Sequence, residues 1–122
     1  MLRLRRKQAL PFYNGAIYQI NASSGEGSLI AQIPDLVENF AIGYMTLFEG
    51  DIYATGVGNN KIFKVTMDGQ ISTFAGTGAN SSSDGLLAEA TFSGPNGIAA
   101  DTARRRLYIS QFGERALRFI QF

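Results

Sequence analysis

The sequence contains no histidine and no cysteine. Their absence excludes a Ser-His-Asp triad, a Cys-His pair and the usual zinc sites, all of which need imidazole or thiolate. It also excludes a disulfide framework, although secreted proteins without disulfides are common. A metal would have to be held by oxygen, which points to calcium or magnesium. Acid–base chemistry would fall to Asp, Glu, Lys or Tyr. No apolar run reaches the length of a membrane-spanning helix. Proline is scarce at 3 residues, whereas glycine is abundant at 14 of 122. Many glycines between many short apolar runs predict an all-β chain rich in tight turns.

The length suits one domain. The net charge of +1 is unevenly spread. Arg3, Arg5, Arg6 and Lys7 form a basic arm over residues 1–11, and the rest is mildly acidic. Such an arm is either a solvated terminus or a contact for nucleic acid or anionic lipid. Gln8, Pro11, Tyr13 and Asn14 interrupt any apolar stretch beside it, so no complete signal peptide is expected here.

The strongest pattern is a repeat. Ile52 to Val65 aligns without a gap on Leu107 to Ile120, 55 residues later. Each copy reads as apolar strand, glycine-containing turn, apolar strand. Self-similarity of this kind marks a repeat architecture. Ile17 to Ile20 also matches Ile62 to Val65, 45 residues later. Strands are predicted near residues 16–20, 28–33, 40–48, 51–55, 59–66, 70–75, 97–100, 106–110 and 115–121. Asp68-Gly69 between apolar runs is a hairpin signal, because both residues tolerate positive φ. The expected organisation is a single partial β-propeller of about two and a half four-stranded antiparallel blades. Residues 12–33 would be the back half of a blade and 40–75 a complete blade. Residues 76–95 would be a long connection, and 96–122 a blade lacking its fourth strand. Connections of that length are uncommon and often functional. Leu86 to Phe92 could form a helical turn within it, with Asp84 as N-cap.

The run Ile71-Ser72-Thr73-Phe74-Ala75-Gly76-Thr77-Gly78, then Ser83-Asp84-Gly85, then Ala90-Thr91-Phe92-Ser93-Gly94-Pro95-Asn96-Gly97-Ile98, then Leu107-Tyr108-Ile109-Ser110, resembles NHL-repeat β-propellers. The resemblance covers roughly Phe40 to Ile120. It implies a closed ring, commonly of six blades, of which this chain supplies part, and it leans towards exported proteins. The family favours Asp where Gly56 and Gln111 stand, Asn where Asn59 keeps it but Glu114 does not, and Arg where Lys61 is similar but Ala116 is not. Those positions usually tie one blade's turn to the next, so the resemblance implies degenerate repeats.

In a propeller the connections around Pro34 to Asn39, Gly56 to Asn60, Gly76 to Pro95 and Gln111 to Glu114 would share one rim. Loops on a rigid scaffold carry variable chemistry. Asn59, Asn60, Asn96, Gln111 and Phe112 are therefore the candidate binding residues, for an unidentified protein or small molecule. Phe112 is either an exposed anchor or a side chain packed between blades. Asn96 is either a turn residue with left-handed backbone before Gly97 or, by resemblance to the related gluconolactonase-like (SMP-30-like) propellers, a calcium ligand. No carboxylate can be paired with it from sequence. No catalytic residue is assigned, and no cofactor is expected outside the calcium reading. Asp51, Asp68 and Asp101 flank turns and are expected to shape them. Arg104-Arg105-Arg106 would lie on the opposite rim as a solvated turn. Without interleaved aromatics it makes nucleic acid an unlikely partner. Open blade edges at both ends predict self-association. The missing fourth strand could come from Leu2 to Arg5, from a second chain or from further sequence.

Overall fold

The structure, a computed structural model, describes residues 15–37 and 42–122. The basic arm, the strand expected at Leu2 to Arg5 and the start of the strand expected from Phe40 lie outside the described residues. The first sheet holds β1 (Ala16–Ile20) and β2 (Gly27–Gln32). The second holds β3 (Ile42–Phe48), β4 (Asp51–Gly56), β5 (Lys61–Val65) and β6 (Ile71–Ala75) in that order. The third holds β7 (Pro95–Asp101), β8 (Arg106–Gln111) and β9 (Leu117–Gln121). Every neighbouring pair is antiparallel. The chain is all-β, with sheets of two, four and three strands that amount to about two and a half four-stranded blades.

The strand register makes the repeat physical. Ile52 faces Val65, Tyr53 faces Lys64, Ala54 faces Phe63 and Thr55 faces Ile62. Their counterparts pair identically: Leu107 with Ile120, Tyr108 with Phe119, Ile109 with Arg118 and Ser110 with Leu117. The shorter match holds too. Ile17 pairs Ala31 with a bulge just after it, and Ile62 pairs Ala75 with a bulge in the same place. Blade positions can thus be compared residue by residue.

Turn chemistry sets the hairpins. Glu49 and Gly50 both have positive φ, 48° and 85°, and join Phe48 to Asp51 directly. This is the primed two-residue turn that suits strand twist. A left-handed Glu costs about 1 kcal/mol. The Asp68-Gly69 hairpin forms differently from the expected one. Only Gly69 takes positive φ, at 93°, and the connection spans residues 66–70. Thr66 N–H reaches the Gln70 carbonyl at 2.9 Å, while the Thr66 hydroxyl donates to the Asp68 carboxylate. That local bond holds Asp68 in ordinary backbone.

The middle blade feeds two cores. Ile52, Ala54, Phe63 and Val65 pack back on Ile17, Ala31 and Ile33 of the first sheet. Phe48, Tyr53, Ile62 and Ala75 pack forward on Leu107, Ile109, Ile120, Ala90 and Phe92. Burial on both faces explains why β4 is apolar without alternation. Each fully buried Ile or Leu contributes ~1.5–3 kcal/mol. Phe122 closes the forward core, its ring 4.5 Å from Phe48 and 5.4 Å from Phe74.

Candidate functional site

One rim of the chain is built by polar side chains that bond the backbone of the neighbouring blade's connection. Asn59 sits in the β4–β5 turn. Its Oδ1 accepts the Val37 N–H at 2.9 Å, and its Nδ2 donates to the Asp35 carbonyl at 2.9 Å. Asn60 follows in left-handed backbone, φ 55°. Its Oδ1 accepts the Gly94 N–H at 2.9 Å, and its Nδ2 donates to the Gly78 carbonyl at 3.4 Å. Two adjacent asparagines therefore point in opposite directions along the array, one to each neighbouring connection.

Arg118 holds the long 76–95 connection. Its side chain is only 11% exposed. It donates to the Ser83 carbonyl at 2.9 Å, to the Asp84 carboxylate at 2.7 Å and to the Thr91 carbonyl. The guanidinium also lies 4.6 Å from the Phe92 ring centroid. A planar fork with five donors suits several acceptors at once. Gln111 assists: its Oε1 accepts the Ser93 N–H at 3.0 Å, and its Nε2 donates to Ser82 Oγ at 3.0 Å. The connection also bonds itself, through Gly76 N–H to Leu87 O at 2.9 Å and Thr77 N–H to Ala90 O at 3.0 Å. A single helical turn forms, with Ala90 N–H on the Leu86 carbonyl at 2.8 Å. Asp84 does not cap it as expected. Its carboxylate turns to Arg118, where a charged partner makes the stronger bond.

Phe112 stands on this rim. Its backbone is pinned by a 2.6 Å bond from its N–H to the Gly94 carbonyl, yet the residue is 76% exposed. It packs against no neighbouring blade among the described residues. Gly113 beside it approaches Ser93 so closely that an added Cβ would lie 2.1 Å from Ser93 Oγ. Only glycine leaves that corner intact.

Asn96 lies in β7, next to Pro95, which pairs with Gln111, but none of its polar atoms bonds the four rim residues. It has no positive φ, which corrects the left-handed turn reading: it extends β7 instead. Its carbonyl accepts the buried Thr55 hydroxyl at 2.6 Å. Its Oδ1 fills the space left by Gly43, 2.3 Å from where a Cβ would sit. Among the described residues no three His, Cys, Asp or Glu side chains gather to hold a metal. Nor, among them, is any helix long and apolar enough to cross a membrane. The structure thus brings Asn59, Asn60, Gln111 and Phe112 to the bonded connections, while Asn96, within the adjoining β7, bonds Thr55 instead.

The opposite rim carries the arginine cluster, and each member is engaged. Arg105, left-handed at φ 53°, forks onto Glu49 at 3.0 and 3.1 Å. Arg106 lies 4.4 Å from the Phe119 ring centroid. Asp101 accepts the Arg104 N–H at 3.0 Å and its guanidinium at 3.1 Å. Those two bonds, the backbone one foremost, hold the Asp101 carboxyl below its ordinary range. On the forward core, burial raises the Tyr53 phenol above its usual 10.0. Asp51 does more than shape a turn, since it pairs with Lys64 at 3.3 Å.

Sequence reasoning missed Arg118. The repeat alignment sets it against the apolar Phe63, and that exchange of an apolar core position for an arginine was the available signal. Two residues after Ala116, Arg118 ties the third blade to the connection that precedes it.

No family model and no curated protein matches the chain. The structure is similar to the crystal structure of a structural genomics protein of unknown function from Bacteroides thetaiotaomicron VPI-5482. The TM-score is 0.77 and the identity 27%, over 88% of this chain. The chain spans 28% of that protein's length.

Proposed function

We propose that this chain is a non-catalytic binding module of the NHL-propeller kind, which recognises a protein or peptide through its tied rim. One observation carries the reading. Asn59, Asn60, Gln111 and Arg118 lock four connections into a single surface, from which Phe112 projects. A rim fixed in advance loses little entropy on binding, and exposed aromatics are frequent anchors. Selection of a displayed peptide library on the chain, followed by titration of the selected peptide, tests it. Phe112→Ser should weaken that peptide at least tenfold without changing the thermal melt. Peptides indifferent to Phe112→Ser would overturn the reading. The calcium-dependent hydrolase reading rests on Asn96 alone, whose carbonyl already serves Thr55. Calcium-dependent thermal stabilisation abolished by Asn96→Ala would restore it.

A further inference from the structure

The third blade presents a face that the second blade buries. Ile62 is 0% exposed because the third blade covers it, whereas Leu117 at the same blade position is 72% exposed. Tyr53 is buried, and its counterpart Tyr108 is only partly so. Phe119 completes an exposed apolar face with these two. A second, polar observation agrees. In the second blade the Thr55 hydroxyl accepts the Tyr44 N–H at 3.0 Å and donates across the interface to the Asn96 carbonyl at 2.6 Å. In the third blade Ser110 repeats the first half, accepting the Gly97 N–H at 3.0 Å. Its own proton meets no acceptor among the described residues. The face is built to be covered by a blade.

The other end of the chain offers the matching surface. Val65 is 0% exposed where it packs back on the first sheet, whereas Ile20, at the same position of the first sheet, is 55% exposed. Leu29 shares that face, since it pairs with the residue two before Ile20. The described residues therefore carry the two halves of an interface that they already form twice between the sheets. We propose that the forward face of the third blade (Tyr108, Ser110, Leu117, Phe119) docks on the back face of the first sheet (Ile20, Leu29) of a second copy. The contact is heterologous, so copies join head to tail into a ring or an open array.

Light scattering coupled to size exclusion on the full chain tests this, over a concentration series. The wild type should elute as multiples of 13.2 kDa. Two double variants separate the faces: Leu117→Arg with Phe119→Arg, and Ile20→Arg with Leu29→Arg. Each should be monomeric, with self-affinity reduced roughly a hundredfold. Mixed together, each retains the face the other needs, so they should form a one-to-one dimer that grows no further. Ser110→Ala should weaken association roughly fivefold. A wild-type monomer at all concentrations overturns the proposal, and so does a mixture that stays monomeric. Should an arginine pair fail to fold by circular dichroism, Leu117→Ser and Ile20→Ser replace it, and either keeping the wild-type mass also overturns the proposal.

Discussion

The junction between the second and third blades differs in kind from that between the first sheet and the second blade. The former holds an aromatic cluster of Phe48, Tyr53, Phe74 and Phe122, and Arg118 fixes the long connection between the two blades. The latter is mostly aliphatic, built on Ile17, Ile33, Ile52 and Val65 with Phe63 among them, and Asp35 and Val37 beside it are tied by the two bonds of Asn59. Equivalent strands thus associate by two routes. Before the second blade, one amide holds Asp35 and Val37. Across residues 76–94 many backbone groups must be satisfied at once, and a guanidinium answers more of them than an amide can.

Removing Arg118 should break the forward junction most severely. Arg118→Ala leaves the Thr91 carbonyl without its side-chain donor and the Ser83 carbonyl with the Thr91 N–H alone, and should cost about 3 kcal/mol in urea unfolding. Arg118→Lys should recover less than half of this, because a point charge cannot serve the same acceptors. Phe122→Ala removes the ring that touches three other aromatics and should cost about 2 kcal/mol by the same measurement. If Phe122→Ala were neutral, the aromatic packing would not be what distinguishes the two junctions.

The other junction should respond more locally. Asn59→Ala should cost about 1 kcal/mol. Hydrogen exchange at the Val37 amide should accelerate, while Gly94, held by Asn60, stays protected. Equal acceleration at both would mean that the two asparagines act as one unit. The smallest effect concerns Asp101. Its folded carboxyl lies below the ordinary 3.8, so its stabilisation is present above that pH and is lost as pH falls through the folded value. Asp101→Asn should narrow the gap between stability at pH 7 and at pH 3, read from melts at each. An unchanged gap would show that the turn gains nothing from the charge.

Much of this architecture was legible in the residues. The 55-residue offset aligned the two hairpins, and their pairings repeat it, as in Tyr53–Lys64 and Tyr108–Phe119, because strand alternation and turn length fix register. Phe112 read as either an exposed anchor or a side chain packed between blades, and among the described residues it is exposed. The site was less legible. Asn96 read as a turn residue because Pro-Asn-Gly is a turn signal, yet tertiary pairing with Gln111 and Ile109 flanks it within β7 and overrides local propensity. Asp84 read as a helix cap, but its partner lies 34 residues away, where no local rule reaches.

By itself, the sequence determined the period of the fold, the order of its strands and the absence of imidazole and thiol chemistry. Those follow from composition and from regularities within short stretches. Only the tertiary structure decided which polar groups hold the rim together. Arg118 finds its acceptors on a connection brought to it by the packing of the third sheet against the second blade, and Asn59 and Asn60 turn opposite ways because each meets a different neighbour. Such bonds depend on distance in space, which periodicity along the chain does not encode.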